Sequence, residues 1–239
     1  MGKRCLPHHL FPEIFFPARC AACGVPVTAR QNHICPACAA SITPLRDGCQ
    51  ACSGSIAEGV CGICRDRHWY PAKSITVTEY RGAVASVIRA LKFDKIRSLY
   101  KIIASLALEP LITSGIRAEI VTWVPMNAKK RWERGFNQSE LIARYIAKKS
   151  GLPARALLRE RRNAPTQREL GLRGRILNSL GRYRPVRDVP YGKAVLLVDD
   201  VLTTGATINE CARQLLMAGA REIFSLTIAR ADIKRLEMF

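Results

Sequence analysis

The chain has 239 residues, 48% hydrophobic and 24% charged, which is ordinary globular usage with room for one full-sized domain and a small module, and this excludes a disordered chain. No apolar run approaches the roughly eighteen residues of a membrane span. Pro7, His8, His9, Pro12 and Glu13 interrupt any secretory core in residues 1–16, so a cytoplasmic protein without a transmembrane segment is expected. Two features depart from the ordinary: 38 Lys+Arg against 19 Asp+Glu, a formal charge of +19, and ten cysteines.

Residues 1–19 read as an apolar lead-in (Leu10, Phe11, Ile14, Phe15, Phe16) and residues 20–64 as a cysteine-rich module. After Cys5 come four C-x-x-C pairs, Cys20/Cys23, Cys35/Cys38, Cys49/Cys52 and Cys61/Cys64, and only Cys211 lies beyond them. A C-x-x-C turn presents two thiolates from one tight knuckle, and two such turns complete a closed tetrahedral site for a structural metal. The module is too polar and Gly-rich to form a core without one, and a disulfide framework would need an oxidising compartment. Eleven residues separate the first two pairs and eight the last two. Sequential sites, Cys20/Cys23/Cys35/Cys38 and Cys49/Cys52/Cys61/Cys64, are preferred to an interleaved cross-brace, each with a structural Zn²⁺. Iron–sulfur ligation is the alternative that sulfur-only ligands also suit. With eight thiolates and two zinc ions the formal charge falls to about +15.

Residues 65–73 read as a linker, with Pro71 opposing helix at its end. From residue 74 strand and helix signals alternate. Residues 74–80 are rich in β-branched side chains and predict a strand; 82–93 carry Val84, Val87, Ile88 and Leu91 at helical spacing, and 99–108 repeat the pattern with Ile102, Ile103 and Leu106. A short strand is predicted at 120–125 and a helix at 137–150. That helix has Asn137 and Glu140 in capping-box spacing and Gly151 as its stop. Residues 159–187, aperiodic and rich in Gly and Arg, read as a long loop or hood. A continuous apolar strand at 194–198, a helix at 207–218 and a strand at 224–229 complete the chain. The pattern predicts an α/β domain over 74–239, a mostly parallel sheet flanked by helices.

Charge is concentrated as well. Residues 129–187 hold seventeen basic side chains against Glu133, Glu140, Glu160 and Glu169, a surplus of +13, which calls for a polyanion such as a phosphorylated small molecule or a nucleic acid.

The stretch 195–207, V-L-L-V-D-D-V-L-T-T-G-A-T, runs from strand through an acidic pair to a Thr/Gly loop and a helix start. Loop N–H groups, the hydroxyls of Thr203, Thr204 and Thr207, and the positive end of the helix suit a phosphate monoester, while Gly205 permits close backbone approach. Asp199 and Asp200 at the strand's carboxyl end can accept from ribose hydroxyls or hold Mg²⁺. No G-K-[ST] follows the glycine, so this is not a Walker A loop.

This stretch resembles the phosphoribosyl pyrophosphate (PRPP) signature of type I phosphoribosyltransferases. The resemblance implies a ribose site at Asp199 and Asp200 and a 5-phosphate site at Thr203, Thr204, Gly205, Ala206 and Thr207. A second stretch, V-P-M-N-A-K-K-R-W-E-R-G-F-N-Q-S at 124–139, together with the four C-x-x-C pairs, resembles the ComF competence family. Its members join an N-terminal zinc module to a phosphoribosyltransferase-like domain and are implicated in natural transformation and DNA utilisation. The resemblance implies a pyrophosphate loop at 125–131, with Lys129, Lys130 and Arg131 as its cations. A third stretch, Thr166–Gln167 through Arg175 and Asn178, follows the family less closely, with Ala164 and Gly174 at two of its positions.

The expected function is a PRPP-binding, phosphoribosyltransferase-like protein, using Mg²⁺ with PRPP and working with single-stranded DNA and other DNA-uptake proteins. Arg161, Arg162, Arg173 and Arg175 are candidate nucleic-acid contacts, with Trp132, Phe136 and Tyr183 as candidate stacking groups. A metabolic phosphoribosyltransferase acting on a nucleobase or ammonia is one alternative. A zinc nucleic-acid-binding module with a vestigial pocket is the other.

Overall fold

The computed structural model describes residues 18–28, 33–45, 47–65, 67–161, 180–186 and 189–231. Most of the lead-in, Cys5, Arg162 and the hood stretch containing Thr166, Gln167, Arg173, Arg175 and Asn178 lie outside them.

In chain order the cysteine module contributes helix α1 (Pro36–Ala40) and the small antiparallel pair β1 (Ile56–Ala57) and β2 (Val60–Cys61). The α/β domain follows with β3 (Lys73–Glu79), α2 (Gly82–Lys92), a 3₁₀ turn at Arg97–Leu99, α3 (Tyr100–Ser105), α4 (Leu108–Thr113) and β4 (Ile120–Trp123). Next come α5 (Ala128–Arg134), α6 (Gln138–Ser150), β5 (Leu158–Glu160), β6 (Tyr183–Pro185), β7 (Ala194–Leu202), α7 (Ala206–Met217) and β8 (Glu222–Arg230). The central sheet has the order β3-β8-β7-β4, and every neighbouring pair is parallel.

Strand β7 shows why its apolar run is continuous. Leu196 and Val198 face the core formed with α2, α3 and α6, including Ile88, Leu91, Ile103, Ile142 and Ile146. Val195 and Leu197 face the opposite layer, built on Ile208, Cys211 and Leu215 of α7 and on Leu158 and Tyr183. A parallel strand covered on both sides has no polar face to present. Cys211 is therefore a core residue, fully buried on the apolar stripe of α7.

Three elements differ from expectation, each for a local reason. The helix predicted at 99–108 ends at Ser105 as α3, and a separate helix α4 starts at Leu108; Pro110 has no N–H to return to the carbonyl of Leu106, so one helix cannot run through. Residues 125–131, expected as a loop, pass into helix α5. Asn127 caps it, its Oδ1 accepting from the Lys129 N–H at 2.9 Å, and none of its residues is buried, so no apolar stripe announced it. The hood is anchored by the antiparallel ribbon β5–β6 at its two ends. Asn137 does cap α6, accepting from the Ser139 N–H at 3.0 Å, but Glu140 completes no capping box; it pairs with Arg131 at 3.3 Å and Arg144 at 3.0 Å.

The cysteine module lies directly on the domain. Cys20, Val27 and Ile34 join the main core. Residues 43–45 cover the open edge of β3, where the Leu45 N–H donates to the Val77 carbonyl at 2.8 Å and the Thr78 hydroxyl to the Thr43 carbonyl at 2.7 Å. Arg230, at the end of β8 and 8% exposed, donates to the carbonyls of Asp47 and Ser53 at 2.9 and 3.2 Å and pairs with Glu79 at 3.4 Å. Arg230→Met keeps the aliphatic bulk and removes these charge-assisted bonds, so it is expected to cost about 1–3 kcal/mol in urea unfolding of the zinc-loaded protein. An unchanged midpoint would show that the contact holds nothing.

Candidate functional site

Asp199 and Asp200 are the sixth and seventh of the nine residues of β7, still within the sheet, with β8 running alongside to Arg230. The chain leaves the strand at Leu202, turns through Thr203–Gly205 and enters α7 at Ala206. Gly205 is the N-cap residue at φ +68, a left-handed conformation that suits glycine. The N-cap Gly205 supplies no side chain and the first turn holds no acid, so no negative charge offsets the positive end of the helix; the Ala206 N–H donates to the Thr204 hydroxyl at 3.4 Å. Thr204 is buried, while Thr203 and Thr207 are half-buried.

The two carboxylates open into a cavity of about 320 Å³. Its walls come from the turn after β4 (Pro125, Met126, Asn127), from Lys130 and Arg134 of α5, from Asn137–Ser139 at the start of α6, from Glu160, Arg182 and Tyr183 of the ribbon, and from Lys92 at the end of α2. Of the three cations expected to serve the pyrophosphate loop, only Lys130 lines this cavity; Lys129 is exposed and Arg131 is turned to Glu140. Thr203–Thr207 adjoin the acidic pair in the chain but are not part of the wall.

Two further cations share the cavity with the carboxylates: Lys92, which sequence reasoning missed, and Arg134, which it quoted without a role. Lys92 places its ammonium against Oδ2 of Asp200, with both side chains largely buried. Arg134 lines the same cavity, donates to Gln138 Oε1 and lies over the Phe93 ring at 5.8 Å. The R-G-F-N-Q string had flagged Arg134, and its other members now have roles. Gly135 turns the chain at φ +84, Phe136 is core, and the Asn137 amide donates to the Val124 carbonyl at 3.0 Å while its oxygen caps α6. Nothing in the sequence points to Lys92, which reads as the polar end of an amphipathic helix.

Burial, and then the neighbouring Asp200 charge, push the Asp199 carboxyl up to about 7, against the Ser139 hydroxyl, the Asp200 N–H and Lys92, which favour the anion. The Ser139 hydroxyl donates to Asp199 Oδ1 at 2.8 Å, and the Asp200 N–H donates to the same oxygen at 2.9 Å. Asp200 Oδ2 is buried without a hydrogen-bond donor and has the Lys92 ammonium as its ion partner. A pair of acids that already engages a cation fits a divalent ion accompanying a pyrophosphate.

The cysteines converge as the spacing predicts. The sulfurs of Cys20, Cys23, Cys35 and Cys38 lie within 4.8 Å of one another, and so do those of Cys49, Cys52, Cys61 and Cys64. Individual separations of 3.7 Å (Cys23–Cys35), 3.6 Å (Cys49–Cys64) and 3.4 Å (Cys52–Cys61) are close to the ~3.8 Å edge of a tetrahedron with Zn–S bonds near 2.3 Å. Backbone N–H groups of Cys35, Gly54 and Ile63 donate to Cys20, Cys52 and Cys61 sulfurs, each at 3.4 Å. At Cys20 burial favours the thiol, but the N–H groups of Cys35, Cys23 and Ala22 outweigh it and hold the group at about 6. Cys38 in the same cluster is pushed up instead, to about 12, by the neighbouring Cys23 and Cys35 sulfurs, as four sulfurs crowded together require without a metal between them. By their convergence both clusters could hold structural zinc.

Candidate nucleic-acid groups divide. Phe136 and Tyr183 are buried at 9% and 5% and so do not form a stacking surface, whereas Trp132 is 86% exposed. Arg161 is exposed at the end of β5. On the ribbon Arg159 and Arg184 stand directly opposite each other, both exposed, while Glu160 and Arg182 pair inward at 2.6 Å.

Residues 137–238 match the phosphoribosyl transferase domain family, in agreement with the parallel sheet, its flanking helices and the acidic pair at the end of β7. The domain is thus of the type I phosphoribosyltransferase fold, with a cysteine-rich module ahead of it. Similarity then extends over most of the chain. The DNA utilization protein YhgH of Salmonella typhimurium is 28% identical over 216 residues, covering 87% of this chain and 94% of that protein. Competence protein F of Haemophilus influenzae is 26% identical over 228 residues, 91% of this chain and 99% of that one. Competence protein ComFC of Bacillus subtilis is 24% identical over 220 residues, 89% and 84%. Over most of its length the chain is thus similar to ComF-type, phosphoribosyltransferase-like proteins.

Elemental analysis of protein purified without added metal is expected to give two zinc ions per chain, and Cys61→Ser to retain about one. Absence of both zinc and iron would contradict the metal reading.

Proposed function

We propose that the cavity at Asp199 and Asp200 binds PRPP with Mg²⁺, and that the protein does so while engaged with single-stranded DNA. The observation that carries the first part is the acidic pair at the carboxyl end of β7, next to a helix start whose first turn holds no acid and sharing a cavity with Lys92, Lys130 and Arg134. On this reading Asp199 and Asp200 accept from the ribose hydroxyls, and the Thr203–Thr207 turn with the start of α7 takes the 5-phosphate. Lys92, released from Asp200, joins Lys130 and Arg134 in facing the pyrophosphate. Mg²⁺, when it arrives with the ligand, spreads the pyrophosphate charge. Cations fixed in a partly buried wall are what a departing pyrophosphate requires.

The DNA part is supported by charge that has no internal use. Arg159 and Arg184 are like charges in direct cross-strand register, an arrangement that disfavours the ribbon unless a polyanion covers it. No acidic partner pairs with either among the described residues. Exposed Arg161 and Arg155, and Lys129 and Trp132 of α5, extend the same chemistry. The names of the relatives, a DNA utilization protein and competence proteins, agree with it.

Calorimetric titration with Mg²⁺-PRPP is expected to show binding that Asp200→Ala weakens by about 10–100-fold, the loss of hydrogen bonds to a charged acceptor. Below pH 7 Asp199 gains a proton and ceases to be an anionic acceptor, so affinity should fall as pH drops through about 7. Ser139→Ala removes a donor that favours the anion and should move that midpoint upward. Equal affinity for wild type and Asp200→Ala would remove the proposal.

Fluorescence anisotropy should show single-stranded DNA binding that weakens steeply with salt. Arg159→Glu with Arg184→Glu should flatten the log–log salt slope by about 0.7 for each lost phosphate contact while leaving Mg²⁺-PRPP binding intact. Absent or salt-insensitive DNA binding would favour a metabolic transferase instead.

A further inference from the structure

The turn read as the phosphate site is backed by the second cysteine cluster. A Cβ built on Gly205 would lie 2.8 and 2.9 Å from ring carbons of Trp69 and 3.1 Å from Cγ2 of Ile63, so the turn and the module are in tight contact. Ile63 stands between Cys61 and Cys64, and its N–H donates to the Cys61 sulfur. Cys52, Ile63 and Leu202 form a small buried cluster, with Cys49, Cys61, Cys64 and Trp69 against it, so the last residue of β7 sits in the same apolar pocket as the sulfurs. Trp69 is fixed from the far side by its Nε1–H, which donates to the Ser74 hydroxyl at 3.1 Å, and Ser74 is held in turn by Ser225 at 2.8 Å.

Polar contacts act on the same turn. Arg67, three residues past Cys64, donates its guanidinium to the carbonyl of Thr204 and lies 5.8 Å from the Trp69 ring. One turn into α7, the Asn209 side chain accepts from the Tyr70 N–H and donates to the His68 carbonyl, both at 2.8 Å. The segment 67–70 therefore grips the Thr203–Asn209 stretch from outside, and its own starting point is fixed by Cys64. The first cluster has different neighbours: Cys20 joins the main core beside Val27 and Ile34, and Cys23 is exposed.

We propose that Arg67 and Trp69 are positioning residues for the β7–α7 turn, and that closure of the Cys49/Cys52/Cys61/Cys64 cluster holds them there. A short turn whose backbone N–H groups must converge on an anion needs a rigid support, and Ile63, Arg67 and Trp69 are in contact with it. Metal at the second cluster then governs the anion site, while metal at the first serves the module and the core. As a statement about ligand binding, this rests on the reading of the turn as the phosphate site. As a statement about the turn's rigidity it stands apart from that reading.

The test uses the full, zinc-loaded chain and two readouts. Hydrogen exchange followed by mass spectrometry reports the amides of residues 202–207 whether or not any ligand binds. Arg67→Ala, Trp69→Ala and Cys61→Ser should each speed that exchange by about tenfold or more, whereas Arg67→Lys, which can still donate to Thr204, and Cys23→Ser should leave it near wild type. Zinc content of two per chain in the Arg67 variants establishes that the module remains folded. Mg²⁺-PRPP affinity should fall in the same three variants and be restored by Arg67→Lys. Wild-type exchange rates in both Arg67→Ala and Trp69→Ala, or equal acceleration by Cys23→Ser, would overturn the proposal. If the wild-type chain binds no PRPP, the functional reading fails and the exchange contrast still decides the positioning role.

Discussion

Two carboxylates on consecutive residues at the inner end of a strand buried on both faces set the terms for everything around them. Burial first and the neighbouring Asp200 charge second raise the Asp199 carboxyl to about 7. The protein offsets the pair with groups drawn from distant parts of the chain. The Lys92 ammonium comes from the end of α2, the Ser139 hydroxyl from the start of α6, and the Arg134 guanidinium stands in the same cavity. Each element is aimed by ordinary helix chemistry, α6 by its Asn137 cap and α5 by Asn127 and Gly135. The result is a pocket in which acids hold a cation and cations stand ready for an anion. That pattern is complementary to the ligand proposed for it, a sugar carrying a pyrophosphate.

The cysteine module adds a second constraint. It covers the open edge of β3, accepts the buried Arg230 and lays Ile63 on the turn that follows Asp200, where the linker behind it adds Arg67 and Trp69. The four C-x-x-C turns therefore do more than fold their own segment. They finish the surface of the α/β domain at a sheet edge and behind the start of α7, two places where bare backbone would otherwise face solvent.

What was legible in the sequence was what is local in it. The sulfurs of each cluster, the strand–acid–turn–helix run at 195–207 and the apolar stripes of α2, α6 and α7 are set by spacing, and the structure places them as spaced. Helix α5 escaped because none of its residues is buried, and the β5–β6 ribbon because its strands are three residues each and lie far apart in the chain. Lys92 escaped for a deeper reason. Its function depends on a contact with Asp200 that only the sheet order creates, and a lysine ending an amphipathic helix looks the same with or without it. The cations nominated through the family resemblance were the reverse case. Charge alone cannot tell Lys130, which faces the cavity, from Arg131, which pairs with Glu140.

A crystal structure of the chain with Mg²⁺-PRPP tests the central claim most directly. The account predicts ribose hydroxyls on Asp199 and Asp200, the 5-phosphate on the 203–207 turn, and the Lys92 ammonium moved from Asp200 to the pyrophosphate. Ligand bound elsewhere, with the Lys92–Asp200 pair intact, would contradict it.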